Sequence, residues 1–308
     1  MKATIISLIG EQPLPNLLPL KYLKPTNAIL VYTQRTKEVA RRLKTLLSAE
    51  TQSIAVEVDD PYNLAFVTQK LRHFLKSRGK DQESLLFNVT GGTKPMALAA
   101  SFVAREQCAP ILYFQTEGTQ SLLYQYELTK CGTLELKEKI IIPETITIDE
   151  YIRSFTGQYH SKKDFPATQG GEFERLVYQA LKPRVDEIMP SVILGGALEI
   201  DLVIRCGNQV GIAEVKTGKK ALSKEGIDQL NTAGGRDFLG IYTKKVLIVD
   251  REWDDSKSNL RELAEARHIK IIELPSFSQS KNRCLSSHDQ QKLIRTISSL
   301  LRCNNKIP

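Results

Sequence analysis

Two apolar runs near the middle of the second half of this 308-residue chain carry the residue types of phosphate chemistry. Glu199-Ile200-Asp201-Leu202-Val203-Ile204-Arg205 reads as a strand with an acid inside it, and Gln209-Val210-Gly211-Ile212-Ala213-Glu214-Val215-Lys216 reads as another. Gly207-Asn208 between them is a two-residue hairpin signal. A turn centred there sets Asp201 opposite Glu214, and period-two alternation puts Lys216 on the same face, one step along. Two carboxylates about 5 Å apart across a hairpin repel unless a cation lies between them. An all-oxygen donor set suits Mg²⁺ or Mn²⁺. A lysine beside that cation stabilises charge on a phosphate or positions an attacking water. Phosphodiester hydrolysis needs these parts.

A third acid comes from the helix expected over 171–182, whose apolar stripe is Phe173, Leu176, Val177, Ala180 and Leu181. Glu174 borders one side of that stripe and Glu172 the other, so geometry alone does not choose between them. Gln229 lies on a later helical stretch, 224–239.

The first half holds a second constellation. In parallel α/β sheets ligands bind at the carboxyl ends of the strands. One such end is Gly10-Glu11-Gln12-Pro13-Leu14-Pro15-Asn16, polar and stiffened by two prolines; another is Asn88-Val89-Thr90-Gly91-Gly92-Thr93-Lys94-Pro95-Met96. Paired glycines let backbone N–H groups approach a ligand, and Thr93 can cap a helix that has Pro95 in its first turn. That helix start, with Lys94, makes an anion site. The spacing is not that of a Walker A loop. The same glycines also suit a plain strand–helix turn. Thr33 and Gln34, and Gln115 and Thr116, fall at the same sheet edge by topology.

These residues need strands and helices to hold them. Apolar runs 3–9, 27–32, 53–58, 84–89 and 110–114 alternate with helical stretches 36–47, 63–76 and 95–106, which predicts a mainly parallel sheet covered on both faces. Runs 121–128 and 134–142 form a hairpin around Lys130-Cys131-Gly132. The stretch 143–170, with Pro143, Gly157, Pro166 and Gly170, reads as the boundary region. Beyond it a second α/β domain is expected: strands at 245–250 and 269–274, and helices at 257–267 and 288–302. The division is 1–145, a linker at 146–168, and 169–308.

Composition narrows the classes. With 41% hydrophobic and 25% charged residues the chain is neither disordered nor low-complexity. No apolar run approaches the ~18–20 residues of a membrane span, so no membrane partner is expected. Five scattered cysteines without a CxxC, and four histidines without an HxxxH, argue against zinc and suit a reducing cytoplasm. A net charge of +8, spread evenly over the two halves, permits polyanionic ligands but does not require them.

Asp201 followed by Glu214-Val215-Lys216 resembles the D…(E/Q)xK signature of the PD-(D/E)XK nuclease superfamily. That resemblance selects Glu174 over Glu172 and adds Gln229 as an accessory residue. It implies Asp201, Glu214 and Glu174 as metal ligands and Lys216 as a catalytic residue, within a restriction-endonuclease-like α/β domain. Gly10–Asn16 and Asn88–Met96 resemble the CARF domain, a Rossmann-like fold, and the pair of domains looks like the branch fused to such a nuclease. The resemblance implies an ancillary effector of type III CRISPR defence: a homodimer activated by cyclic oligoadenylate, typically the tetra-adenylate. Such an effector cleaves RNA, single-stranded DNA or duplex DNA with little sequence specificity. Gly10, Glu11, Gln12 and Asn16, with Thr90, Gly91, Gly92, Thr93, Lys94 and Met96, would form the activator site, together with Thr33, Gln34, Gln115 and Thr116. The alternatives are a CARF sensor with an inactive nuclease fold, and a ring nuclease that degrades its own activator.

Overall fold

The structure is a computed structural model that describes residues 3–47, 51–77, 84–129, 132–196 and 198–303. The chain divides into two compact units, Met1–Ile146 and Thr147–Pro308.

Unit 1 runs β1 (Ala3–Leu8), α1 (Leu14–Leu23), β2 (Asn27–Tyr32), α2 (Lys37–Leu46), β3 (Gln52–Glu57), α3 (Leu64–Ser77), β4 (Ser84–Asn88), α4 (Lys94–Glu106), β5 (Ile111–Glu117), β6 (Gln120–Leu128) and β7 (Leu134–Ile141). The sheet order is β3-β2-β1-β4-β5-β6-β7. The first five strands pair in parallel; β6 and β7 add antiparallel strands at one edge. Every residue of β1 is buried, as expected of a central strand with helices on both faces. One core packs Ile6, Leu8, Ile29 and Phe87 against Val67, Leu71, Met96 and Val103. Strand order reverses between β1 and β4, so the loops after these two strands flank a topological switch point.

Sequence reading passes over α1, for a physical reason. The helix is apolar on every side, with Leu14 to Leu20 all buried, so it shows no stripe. It also contains Pro15 in its first turn and Pro19 inside. Pro19 cannot donate to the Pro15 carbonyl one turn back. Asn88 Nδ2 donates to that carbonyl instead, at 3.0 Å.

Unit 2 runs α5 (Ile148–Thr156), β8 (Tyr159–Ser161), α6 (Gln169–Leu181), β9 (Glu187–Leu194), β10 (Leu198–Cys206), β11 (Gln209–Lys216), α7 (Glu225–Ala233), β12 (Lys244–Val249), α8 (Ser258–Ala266), β13 (Ile269–Glu273), α9 (Ser276–Gln279) and α10 (Ser287–Leu301). Its sheet order is β13-β12-β11-β10-β9-β8. Strands β8 to β11 pair antiparallel, and β11 to β13 parallel. One face packs α6 and α10 against Leu202, Ile204, Val215 and Ile248.

The fold departs from the sequence expectations at three places. The stretch 146–168 is not a bare linker: α5 buries Ile148, Tyr151, Ile152 and Phe155, and β8 joins the sheet through β9. The i, i+3, i+4, i+7 spacing of those four residues, and the capping box of Thr147 with Glu150, were readable signals. Second, α7 ends at Ala233 rather than near 239, where Gly234 and Gly235 turn the chain back on the helix's last carbonyls. Third, Cys206 and Cys303 form a disulfide. They are 97 residues apart, but α10 packs across the sheet and delivers its end to the end of β10. Lys130 and Cys131, in the turn between β6 and β7, lie outside the described residues. Among the described residues no helix is long and apolar enough to cross a membrane.

Candidate functional site

The β10–β11 hairpin has the expected register. Cys206 pairs with Gln209, and the ladder runs through Arg205 with Val210 to Leu202 with Ala213. It stops there, one pair short of Asp201 and Glu214. On its other side β11 pairs with β12 from Gly211 to Lys216, so that Glu214 and Lys216 stay in the sheet opposite Leu247 and Val249. The Val215 amide, freed from β10, donates to Asp201 Oδ2 at 2.7 Å. Splaying of the two strands thus opens room for the side chains, and a carboxylate replaces the missing ladder bond.

Lys216 Nζ lies between the two acids, 2.5 Å from Glu214 Oε2 and 3.4 Å from Asp201 Oδ2. Glu214 is 1% exposed and Lys216 9%. Burial pushes the Glu214 carboxyl up, the Asp201 charge adds to this, and Lys216 opposes it. Burial by itself pulls the Lys216 ammonium down, but the two carboxylates outweigh it and the net direction is up. Helix α7 packs closely over this lysine: a side-chain carbon at Gly226 would lie 2.7 Å from Leu247 Cδ1 and 3.4 Å from Lys216 Cγ. Gln229, one turn later, therefore faces the same region.

Glu174 comes from α6, whose first turn is capped by Thr168 through a 3.2 Å bond from Gly171 N. The Glu174 carboxyl is pushed up to about 7, first by burial, then by the Asp201 charge, with a smaller push from Glu199; Lys216 opposes. Glu199, two residues before Asp201 on the same strand face, is exposed and acts on Glu174 only through its charge.

Two buried oxygens here have no hydrogen-bond partner among the described residues, Glu214 Oε1 and Gln229 Oε1. An unsatisfied buried carboxylate oxygen is costly, and a hard cation satisfies oxygen donors of this kind. The donor set fits Mg²⁺ or Mn²⁺ at Asp201 and Glu214. Among the described residues no group of three His, Cys, Asp or Glu side chains is already gathered at metal-ligand spacing.

In unit 1 the carboxyl edge brings the loops after β1 and β4 into contact. Gly91 sits so close that a side-chain carbon there would lie 2.1 Å from the Leu8 carbonyl and 2.7 Å from Gly10 N. Gly92 has a φ of +73°, which glycine adopts without strain. Gly91 is thus obligatory for the packing of the two loops, whereas a side-chain carbon at Gly10 would come no nearer than 3.4 Å to Gly91 Cα and Gly92 N. Thr90 Oγ1 donates to Asn88 Oδ1 and accepts from Phe114 N, both at 2.7 Å. Thr93 caps α4 by accepting from Met96 N at 3.3 Å, and its hydroxyl donates to the Pro61 carbonyl at 2.7 Å. Lys94 is exposed at the start of that helix, with Gln34 and Gln115 also exposed and Gln12, Thr33 and Thr116 partly so.

Asn16 and Met96 do not line this edge. Both are fully buried: Asn16 donates to the Leu8 carbonyl at 3.1 Å, beneath the loop, and Met96 packs in the core. Glu11 is held in an ion pair with Arg35. Arg35, 77% exposed and next to Gln34, is the cation that sequence reading omits from this edge. Its signal was its place just after a parallel strand.

Comparison with known proteins bears on both units. No curated protein matches the chain. Among solved structures, Can2 from Sulfobacillus thermosulfidooxidans in complex with cyclic tetra-adenylate aligns with a TM-score of 0.71 at 18% identity, over 97% of this chain and 99% of that one. Protein VC1899 from Vibrio cholerae aligns with a TM-score of 0.71 at 14% identity, over 97% and 98%. A type III CRISPR defence DNA nuclease activated by cyclic oligoadenylate aligns with a TM-score of 0.57 at 15% identity, over 82% of this chain and 46% of that one. At such identities the likeness is one of fold: a Rossmann-like parallel-sheet unit followed by a second α/β unit. Residues 4–151, which contain the switch point and both glycine loops, match the family model of the Card1 CARF domain, and it is to this domain that the first unit is similar.

Proposed function

We propose that this protein is a metal-dependent nuclease of type III CRISPR defence, switched on by a cyclic oligoadenylate bound at the CARF edge. The observation that carries the nuclease reading is the buried Asp201–Glu214–Lys216 cluster, whose Glu214 Oε1 has no hydrogen-bond partner among the described residues. Its residue types and spacing are those of the PD-(D/E)XK nucleases.

A bound Mg²⁺ or Mn²⁺ would supply a Lewis acid for the phosphoryl oxygen and lower the pKa of a bound water. Asp201 and Glu214 would hold it, and Glu174 would bind from α6, directly or through water. The protein's own residues do the rest. Val215 N fixes the Asp201 carboxylate. Lys216, kept charged by its two acids, stabilises negative charge developing on the phosphate or orients water. Gln229 offers a carbonyl oxygen toward the same space. Contacts to phosphate rather than to bases give little sequence preference.

In unit 1, Lys94 with the backbone N–H groups of Gly91 and Gly92 would bind the phosphates of the activator, at the switch point where the fold offers them. The hydroxyls of Thr90 and Thr93 are already engaged in holding the loop, which favours a sensor over a ring-cleaving site. The exposed Leu98 and Phe102 on α4 suit a two-fold contact between copies of this domain. The test is cleavage of RNA, single-stranded DNA and duplex DNA in Mn²⁺ or in chelator, with cyclic tetra-adenylate, cyclic hexa-adenylate or neither. Cleavage that needs both metal and one ring supports the reading. Absence of metal-dependent cleavage under every combination refutes it.

A further inference from the structure

Beyond Lys216 the chain leaves β11 through Thr217-Gly218-Lys219-Lys220-Ala221-Leu222-Ser223-Lys224 before entering α7. Its three lysines are all exposed. Lys220 pairs with Glu225 at 3.3 Å, whereas Lys219 and Lys224 have no ion pair among the described residues.

Clustered lysines on a free loop would spread apart, but the main chain here is pinned from below. Gly218 N donates to Asp250 Oδ2 at 3.1 Å, and Asp250 is fully buried. The Ala221 carbonyl accepts from the indole of Trp253, the sole tryptophan in the chain, at 2.8 Å. Trp253 is 5% exposed and Ala221 1%. At its start the segment lies beside α6, where a side-chain carbon at Gly170 would sit 3.9 Å from Thr217 Oγ1. At its end it enters the helix that covers Lys216. Three cations are therefore held in solvent on a fixed backbone, between the elements that carry Glu174, Lys216 and Gln229.

We propose that the 217–224 segment is a binding surface for the sugar–phosphate backbone of the nucleic acid substrate, with Lys219 and Lys224 each meeting a phosphate that flanks the one at Lys216. The inference rests on reading the Asp201–Glu214–Lys216 cluster as a nuclease site. Neutralising phosphates releases counterions, so affinity falls with salt by about 0.7 logarithmic units per contact for a single strand and about 0.9 for duplex.

The experiment measures binding separately from cleavage. Anisotropy of labelled single-stranded RNA, single-stranded DNA and duplex DNA is titrated with the full chain in chelator, across a salt series, for wild type and for Lys219→Ala/Lys224→Ala. Thermal melting and Trp253 emission check that the segment keeps its place. The expected result at ~0.1 M salt is a loss of affinity of roughly 25-fold for single strands or roughly 60-fold for duplex, with a salt slope smaller by about 1.4 or about 1.8 respectively. The substrate that wild type binds most tightly, and whose binding the variant weakens, identifies the backbone bound. Lys219→Glu/Lys224→Glu should weaken binding further. Unchanged affinity and slope in both variants, or no binding by wild type, overturns the inference. Cleavage that persists with lysine-independent binding defeats only this surface. Lysine-dependent binding without cleavage in Mn²⁺ defeats only the nuclease reading.

Discussion

Asp201 Oδ2 accepts the amide hydrogen of Val215 at 2.7 Å, at the place where β10 and β11 cease to pair. The bond makes Asp201 both a structural acceptor and a candidate metal ligand. The two roles separate by substitution. Asp201→Asn keeps an oxygen acceptor and loses the charge, so folding should survive while cleavage falls by roughly 10²-fold or more, the scale of losing one transition-state contact. Asp201→Ala loses the acceptor too and should be less stable than the Asn variant by about 1–3 kcal/mol, the cost of a buried unpaired amide. Denaturant titrations and cleavage rates of both variants check this.

Removing Lys216 leaves Glu214 and Asp201 facing each other without a counter-charge. Lys216→Ala should destabilise the metal-free protein by about 3 kcal/mol or more, as expected on breaking a buried pair. Mn²⁺ should restore more stability to this variant than to wild type, since the cation replaces the lost charge. Melting curves with and without Mn²⁺ give the comparison; equal metal effects in the two proteins would oppose it.

Glu174 sets a pH dependence. Its carboxyl is pushed up to about 7 when folded, from an ordinary 4.5. Between these values the folded chain holds a proton on Glu174 that the unfolded chain has released, so this group's contribution to metal-free stability falls as pH rises and levels off above about 7. Glu174→Gln should flatten that slope. Denaturation in chelator at a series of pH values measures it, and an identical slope in the variant would contradict the assignment.

Gly91 tests the CARF edge. Gly91→Ala places a carbon against the Leu8 carbonyl and Gly10 N, both backbone atoms that cannot swing aside. The variant should lower the melting temperature and weaken activator binding together. Lys94→Ala should weaken binding without the melting change.

Much of this was legible in the sequence because period and register are local. Gly207-Asn208 fixed the turn, and alternation then carried Asp201, Glu214 and Lys216 to one face. The splay after Leu202 was not legible, since alternation gives the face of each residue but not the point where a ladder stops. Asn16 read as a ligand-loop residue because α1 has no polar stripe to announce a buried helix. The Cys206–Cys303 bond depends on how α10 crosses the sheet, and spacing says nothing about that.

The most direct test of a CARF-switched nuclease is a cleavage titration against cyclic tetra-adenylate for Lys94→Ala and Lys216→Ala beside wild type. A ligand shifts a two-state equilibrium only through its differential affinity for the two states. Losing one charge-assisted contact, about 1.5–3 kcal/mol, should move the Lys94→Ala midpoint roughly ten- to a hundredfold while the saturated rate stays close to wild type. Lys216→Ala should keep the midpoint and lose the rate. Cleavage by Lys94→Ala that ignores activator, or that falls only in its saturated rate, would contradict the account.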